Sequence, residues 1–337
     1  MLQTIANTNV FHQAIPELPM GKYVHFVLSR QTDSYPLFQT DGELNLVRVS
    51  MGLQPEHQTP MTRIVLFKRK QTTPERLTGR ELLRRHGVIA ANKADEGAGK
   101  GKHCEYNSAD FCKQCPDCIL YGFAIGNQGS ERSKILTDSA FSLTGYDESH
   151  QLATFNAPFE TGTMSKGGEM KTSIGEQDHV LPQVFFPSVI TLKDPTQAGF
   201  IYVLNNILRT KRYGAQNTRT GTVENAVLGI VFADGEIFSN LKLTQSVTDL
   251  LQQRSQFVSP LQAIHVHQAI TDALPALLAQ DRVVYELYNN EQLTSLLGEV
   301  DAIVSNQEKL ASLIGLVSKD AFTYAEKFGV LSSQKKK

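Results

Sequence analysis

Apolar and polar positions alternate over much of the first part of the chain. Residues 22–29 (KYVHFVLS), 44–50 (LNLVRVS) and 61–67 (MTRIVLF) are rich in β-branched and aromatic side chains, which predicts three strands. Asp41-Gly42 between the first two is a turn signal. A helix is predicted over 75–86, opened by Pro74 with Thr73 as N-cap and closed by Gly87. A second helical stretch is expected near 131–140. Residues 93–102 (KADEGAGKGK) read as a mobile loop. Residues 155–184 lose periodicity and carry Gly162, Gly167, Gly168 and Gly175, so they read as a protruding hairpin or extended arm. Strand-like runs return at 199–208, 223–232 and 236–243, with Asp234-Gly235 as a two-residue hairpin turn between the last two. From Ser246 the spacing becomes helical, as in Leu310, Leu313, Ile314 and Val317, and three or four helices are expected. The pattern predicts an α+β chain with a C-terminal helical part.

Composition adds little until charge is mapped. The 337 residues carry a formal net charge of -1, so any affinity for a polyanion must come from local clusters. Between 62 and 86, Arg63, Lys68, Arg69, Lys70, Arg76, Arg80, Arg84 and Arg85 face only Glu75 and Glu81. Between 205 and 222, Arg209, Lys211, Arg212 and Arg219 face no acid. Either run alone reads as a solvated face. Two such runs, each beside a glycine turn, point to a groove for a polyanion. No apolar run is long enough to span a bilayer, and residues 1–9 lack a basic region followed by an apolar core. A cytoplasmic protein without membrane contact is the expectation.

All four cysteines lie close together as Cys104, Cys112, Cys115 and Cys118, the last three spaced C-x2-C-x2-C. A disulfide framework belongs to small secreted chains. An iron–sulfur run of this spacing carries a fourth cysteine after three intervening residues, which is missing here. A structural zinc held by the four thiolates is the favoured reading; four sulfur ligands leave no open position for catalysis. His103 adjoins Cys104 and is an alternative ligand.

In the segment RTKRYGAQNTRTG (209–221), Gly214 and Gly221 bracket Arg219, with Lys211 and Arg212 just before. Glycine lacks a Cβ, so a phosphate can approach the backbone N–H groups. Arginine forks then bind phosphate oxygens, and Tyr213 is placed to stack on a base. The order of a P-loop is absent.

Several segments, in order, resemble the repeat-associated RNA-binding superfamily of CRISPR effector proteins, in particular its backbone subunits. ERLTGRELLR (75–84) is similar to the family's S-x-L-K-G helix start, with Thr78 where Lys is usual. CPDCILYG (115–122) resembles the C-x-x-C-x-L-F-G segment of type III backbone proteins, and SKILTDSA (133–140) the S-R-x-x-F-x-D-A stretch after it. RYGAQNTRTGTV (212–223) resembles the family's glycine-rich loop. The matched segments cover about a quarter of the chain. Their order, the length and the insert most resemble the backbone subunit of the type I-D system.

The resemblance implies a ferredoxin-like core of the RNA-recognition type over 1–92 and 199–245. It implies a zinc-bearing insertion at 93–140, a thumb-like hairpin insertion at 141–198 and a helical part at 246–337. It implies a non-catalytic subunit that binds the guide RNA (crRNA), oligomerises into a helical filament of a Cascade-type complex, and presents the guide to a target strand. Other copies of the chain and other subunits of the complex would be its partners. The candidate RNA contacts are then Arg63, Arg69, Arg80, Arg84, Lys134, Met164, Lys166, Lys171, Lys211, Arg212, Tyr213, Gly214 and Arg219, with Met164 or Met170 as an apolar wedge on the thumb. The alternative is a metal-dependent ribonuclease using Asp33 or Asp41, although both sit among turn formers. His265 and His267 are two apart on a predicted helix and make a poor metal pair.

Overall fold

A computed structural model describes residues 2–97, 99–170 and 174–330. The chain opens with strand β1 (Tyr23–Thr32), a small hairpin of β2 (Gln39–Thr40) and β3 (Glu43–Leu44), then β4 (Leu46–Ser50), β5 (Pro60–Leu66) and helix α1 (Lys68–Arg85). After the cysteine segment come β6 (Phe123–Ala124), β7 (Ser130–Glu131), β8 (Ile135–Thr137) and β9 (Ala140–Gly145). An arm follows, built of β10 (His150–Asn156), β11 (Ser165–Lys166), β12 (Glu169–Met170) and β13 (Ile174–Val180). The chain returns through β14 (Phe185–Lys193), α2 (Gln197–Arg209) and β15 (Val223–Ala233). It closes with α3 (Asn240–Gln253), α4 (Ala263–Leu278), β16 (Tyr285–Tyr288), α5 (Asn290–Val304) and α6 (Gln307–Lys327).

The main sheet has the order β16-β15-β1-β14-β8, with every neighbouring pair antiparallel. In chain order, β1, α1, β8, β14, α2 and β15 make the β-α-β-β-α-β unit of a ferredoxin-like fold. The long connections of that unit hold β2 to β5 before α1, the cysteines between α1 and β8, and the arm between β8 and β14, while α3 to α6 and β16 follow its last strand.

β1 explains why this sheet sits at the centre. Val24, Phe26 and Leu28 point into a core shared with α1, α2, α5, α6 and the cysteine segment. Phe26 stacks on Phe200 of α2 at 5.5 Å. Val27, on the other face, packs in a second core with α3 and α4. An antiparallel sheet with one wet face would show polar residues on alternate positions. Here seven consecutive residues of β1 are buried, so both faces are covered. The face that an RNA-recognition fold uses for stacking bases is thus occupied by α3 and α4. A third apolar cluster joins Phe38, Ile64, Val180, Phe186 and Val223 at the sheet end next to the arm.

Several expectations from the sequence change. α1 starts at Lys68 with Phe67 at its N-cap, so Thr73 and Pro74, expected to open it, lie inside the helix. Residues 199–208 form α2, not a strand: Thr196 caps it by accepting from the Gly199 N–H at 3.1 Å. Its aromatic and β-branched composition reflects a helix buried on nearly all sides. Residues 236–243 contain no strand, because Ser239 caps α3. The Asp234-Gly235 pair therefore makes no hairpin, and β15 pairs with β1 and β16. The stretch 131–140 is extended in β7 to β9 where a helix was expected. Phe185–Lys193, expected inside the thumb insertion, lies beside β1 in the main sheet. Asp41-Gly42 does turn the chain, between β2 and β3, with positive φ at both residues. None of the described helices is long and apolar enough to cross a membrane.

Candidate nucleic-acid interface and cysteine cage

The arm is a hairpin in which β10 and β13 pair from His150↔Val180 to Asn156↔Ile174. Its tip turns at Gly167 and Gly168, whose φ values of 60° and 88° favour glycine. Its root is clamped: Asp178 accepts from the Tyr146 hydroxyl at 2.8 Å and pairs with His150 Nδ1 at 2.8 Å, while the two rings stack at 3.8 Å. Beyond the root the arm shows apolar groups to solvent. Leu152 is 56% exposed, Phe155 47% and Met170 75%. Lys166 is exposed and Met164 half-buried. Lys171 lies outside the described residues.

Between the arm and the glycine loop runs a cleft of about 700 Å³ lined by Phe155, Asn156, Ala157, Gly175, Glu176, Gln177, His179 and Arg219, so one carboxylate and one guanidinium face it. His179 meets Phe155 edge-on at 5.6 Å and Tyr35 edge-on at 6.4 Å. Two half-exposed rings thus flank a buried imidazole, next to an exposed guanidinium. An exposed ring and a guanidinium are the groups that can take a base by its face and a phosphate by its charge, without reading base edges. Lys211 and Arg212 are exposed on the same loop. Arg212 also donates to the Thr220 carbonyl, which ties the loop's two sides together.

The two loop glycines have a different role from the one their sequence suggests. A Cβ on Gly214 would stand 2.3 Å from the Leu37 carbonyl oxygen, and one on Gly221 2.4 Å from the Tyr35 nitrogen. Their N–H neighbourhood is filled by the chain's own backbone: Gly221 donates to the Tyr35 carbonyl at 3.0 Å and Ala215 to the Leu37 carbonyl at 2.7 Å. Gly214 is therefore a seat for the Tyr35–Leu37 segment and makes no open phosphate cradle. Gly221→Ala is expected to destabilise the fold by about 1–3 kcal/mol, since backbone rather than a flexible side chain must move. Gly298→Ala on α5, where a Cβ meets nothing within 4 Å, should instead stabilise by about 0.5–1 kcal/mol. Thermal melts of both variants check this pair.

Four further residues expected at the RNA are committed inside the protein. Tyr213 is fully buried; its hydroxyl donates to Glu75 at 3.1 Å and accepts from Asn225 Nδ2 at 2.8 Å. It cannot stack on a base. Arg30 of β1 completes that network, bonding Glu75 at 2.9 Å, Asn225 at 2.9 Å and Ser188 at 3.1 Å, with its guanidinium 4.6 Å over the Tyr213 ring. Burial pushes the Glu75 carboxyl up, and the Arg30 charge opposes this. Arg63 is fully buried; its guanidinium donates to the carbonyls of Ser142, Leu143 and Met51 and to Thr248, joining β5, β9 and α3. Burial without a carboxylate lowers it to about 10. Arg80 is buried against Asp117. Lys134 pairs with Glu131 at 2.9 Å and sits 4.4 Å over the Tyr324 ring. Arg69 is exposed and Arg84 half-buried; they stand at opposite ends of α1, roughly 22 Å apart along its axis, and neither lines the cleft. A basic count along the sequence could not separate these structural arginines from exposed ones. Tyr35, Phe155 and His179 went unnoticed because they are single aromatics in polar segments.

The cysteines do converge. Cys104 Sγ lies 3.9 Å from Cys115 Sγ and 3.7 Å from Cys118 Sγ, and Cys112 Sγ lies 3.9 Å from Cys118 Sγ. All four sulfurs are buried and within 4.8 Å of one another. A tetrahedral zinc with metal–sulfur bonds of about 2.3 Å needs sulfur–sulfur edges of about 3.8 Å, so the donor set fits. The sulfurs are too far apart for disulfides. Hydrogen bonds from the other thiols pull the Cys104 thiol down, while burial pushes Cys115 and Cys118 up. His103 Nδ1 contacts the Ala90 carbonyl at 3.3 Å, and its ring groups with Glu105 and Asp110 rather than with the four sulfurs.

The two loop carboxylates considered for cleavage are both exposed and well apart in role. Asp33 accepts from the Thr222 hydroxyl at 3.3 Å, and Asp41 forms the β2–β3 turn.

Comparison with known proteins places these features. A family model described as Csc2 Crispr matches residues 10–314. No curated protein is significantly similar in sequence. Among solved structures, the crystal structure of Thermofilum pendens Csc2 is similar at 14% identity with a TM-score of 0.63, over 99% of this chain and 94% of that one. A chain of a CRISPR RNA-guided surveillance complex in a pre-nicking state is similar at 12% identity and a TM-score of 0.50, over 83% of this chain and 99% of that one. At these identities the likeness is one of fold.

Proposed function

We propose that this chain, which belongs to the Csc2 CRISPR family, is a backbone subunit that binds the guide RNA of a CRISPR surveillance complex. The observation that carries the reading is the cleft between the arm and the glycine loop, which the exposed Phe155 ring and Arg219 both line, with Tyr35 backing His179. A backbone subunit must accept any guide sequence. Stacking and phosphate contacts do so, whereas base-edge hydrogen bonds would not.

Several finer assignments go with this reading. The system is of type I-D, copies of the chain repeat along the guide as a helical filament, and other subunits complete the complex. The cysteine segment between α1 and β8 forms the metal-bearing insertion, since β8 itself belongs to the main sheet, and the arm acts as the thumb, with Met164, Met170 and Lys166 towards its tip. The guide is presented to a target strand, and the chain itself performs no chemistry. The zinc is structural: Cys104, Cys112, Cys115 and Cys118 hold it, and it fixes the loop between α1 and β8. The location is cytoplasmic.

The test is affinity for several RNA oligonucleotides of unrelated sequence across a salt series. Wild type should bind them about equally, and binding should fall steeply as salt rises, because counterions are released. Phe155→Ala should weaken every one of them alike, by about 1–3 kcal/mol if it stacks on a base. A chain that ignores all of them in dilute buffer would refute the proposal.

A further inference from the structure

The cysteine cage is served by two arginines of α1 that the RNA reading does not use. Arg80 is 1% exposed. Its Nη1 donates to the Asp117 carboxylate and stands 3.5 Å from Cys104 Sγ, and its Nη2 donates to the Cys104 carbonyl. Arg76 grips the same carboxylate in a fork at 2.9 and 2.8 Å and stacks 4.6 Å over the Tyr106 ring. Asp117 is fully buried between Cys115 and Cys118.

Charge does not balance in this pocket as the protein alone provides it. Two guanidinium groups share one carboxylate, which leaves a positive charge in excess at a site withdrawn from water. An uncompensated buried charge costs several kcal/mol. A cage of four thiolates around one divalent cation carries two negative charges. Its nearest sulfur, on Cys104, is the one Arg80 reaches, and the Cys112 N–H donates to that same sulfur at 3.3 Å.

We infer that Arg80 is the counter-charge of the loaded cysteine cage, held on Cys104 by Asp117, with Arg76 as the second cation of the set. The inference rests on the metal reading above and deepens it. It makes α1 part of the metal site: the helix that supplies Glu75 to the buried Arg30–Tyr213 network supplies the cation to the cage one turn later. Loss of the ion leaves that cation unbalanced against the core face of α1.

The experiment compares wild type, Arg80→Met and Arg80→Lys for zinc retention against a competing chelator. The thiolate-to-metal charge-transfer absorption of the cobalt-substituted protein is the second readout. Wild type should hold one ion per chain. Arg80→Met should release it 10–100-fold more readily while keeping the four-thiolate spectrum, and Arg80→Lys should stay within about threefold of wild type. If Arg80→Met retains the ion as firmly as wild type, the inference is wrong. If Arg80→Lys loses as much as Arg80→Met, the fork's hydrogen bonds matter and the charge does not, which also overturns it. Should Arg80→Met fail to fold, Arg80→Lys decides alone: near wild type supports the inference, a tenfold loss rejects it. A wild-type chain that takes up no metal fails at the earlier step, removing the metal reading together with its counter-charge.

Discussion

Replacing Lys211 and Arg219 together by glutamate is expected to weaken RNA binding by on the order of a hundredfold at low salt, equally for all sequences. Both side chains are exposed on the glycine loop, and Arg219 lines the cleft beneath the arm. Their contribution is electrostatic, so the slope of log affinity against log salt should flatten by about 1.4, at roughly 0.7 per lost phosphate contact on a single strand. Stability should change by less than about 0.5 kcal/mol, because neither side chain is buried. Arg212 is left intact, since its bond to the Thr220 carbonyl holds the loop in shape. Fluorescence anisotropy at four or five salt concentrations measures both quantities. A variant that keeps the wild-type salt slope would show that the strand runs elsewhere.

The second large effect concerns the cysteine cage. Cys115→Ser with Cys118→Ser removes two of four sulfur donors whose side chains lie in the same apolar core as β1, α2 and α6. The expected result is loss of bound metal and a fall in stability of roughly 3–5 kcal/mol, the scale of leaving a buried charge without its partner. In a chain of 337 residues that is a drop of about 4–7 °C in melting temperature. A strong chelator should lower the wild-type melting point towards that of the variant and leave the variant unchanged. Metal analysis with calorimetry measures it; equal metal content and equal melting in the two proteins would mean the sulfurs hold nothing.

Much of the architecture could be read from the chain, and the failures share a cause. The strand around Val24–Leu28, the Asp41-Gly42 turn, the arm and the closing helices follow from local patterns that the tertiary structure leaves in place. Residues 197–209 misled because a helix enclosed on nearly all sides needs no polar stripe, and Phe200, Ile201, Tyr202 and Val203 then look like a strand. Thr196 as a cap was the legible counter-signal. The cysteine cluster was visible because its spacing alone brings thiolates together. Of the proposed RNA contacts, the structure separates exposed from buried. Lys211, Arg212 and Arg219 are where a strand can reach them, but charge along a sequence carries no depth. Arg63 and Arg80 look like Arg69 in the chain and differ from it only by what surrounds them. Gly214 and Gly221 were rightly singled out, though the object that fills the space above them is the backbone of residues 35–37.

The arm enters and leaves the body at the same place, because His150 and Val180 are paired neighbours while Leu181 follows directly into the core. It is a self-contained attachment whose length does not constrain the sheet. Such an attachment can be lengthened, shortened or reshaped by a designer, changing how far it reaches without rebuilding the part that folds.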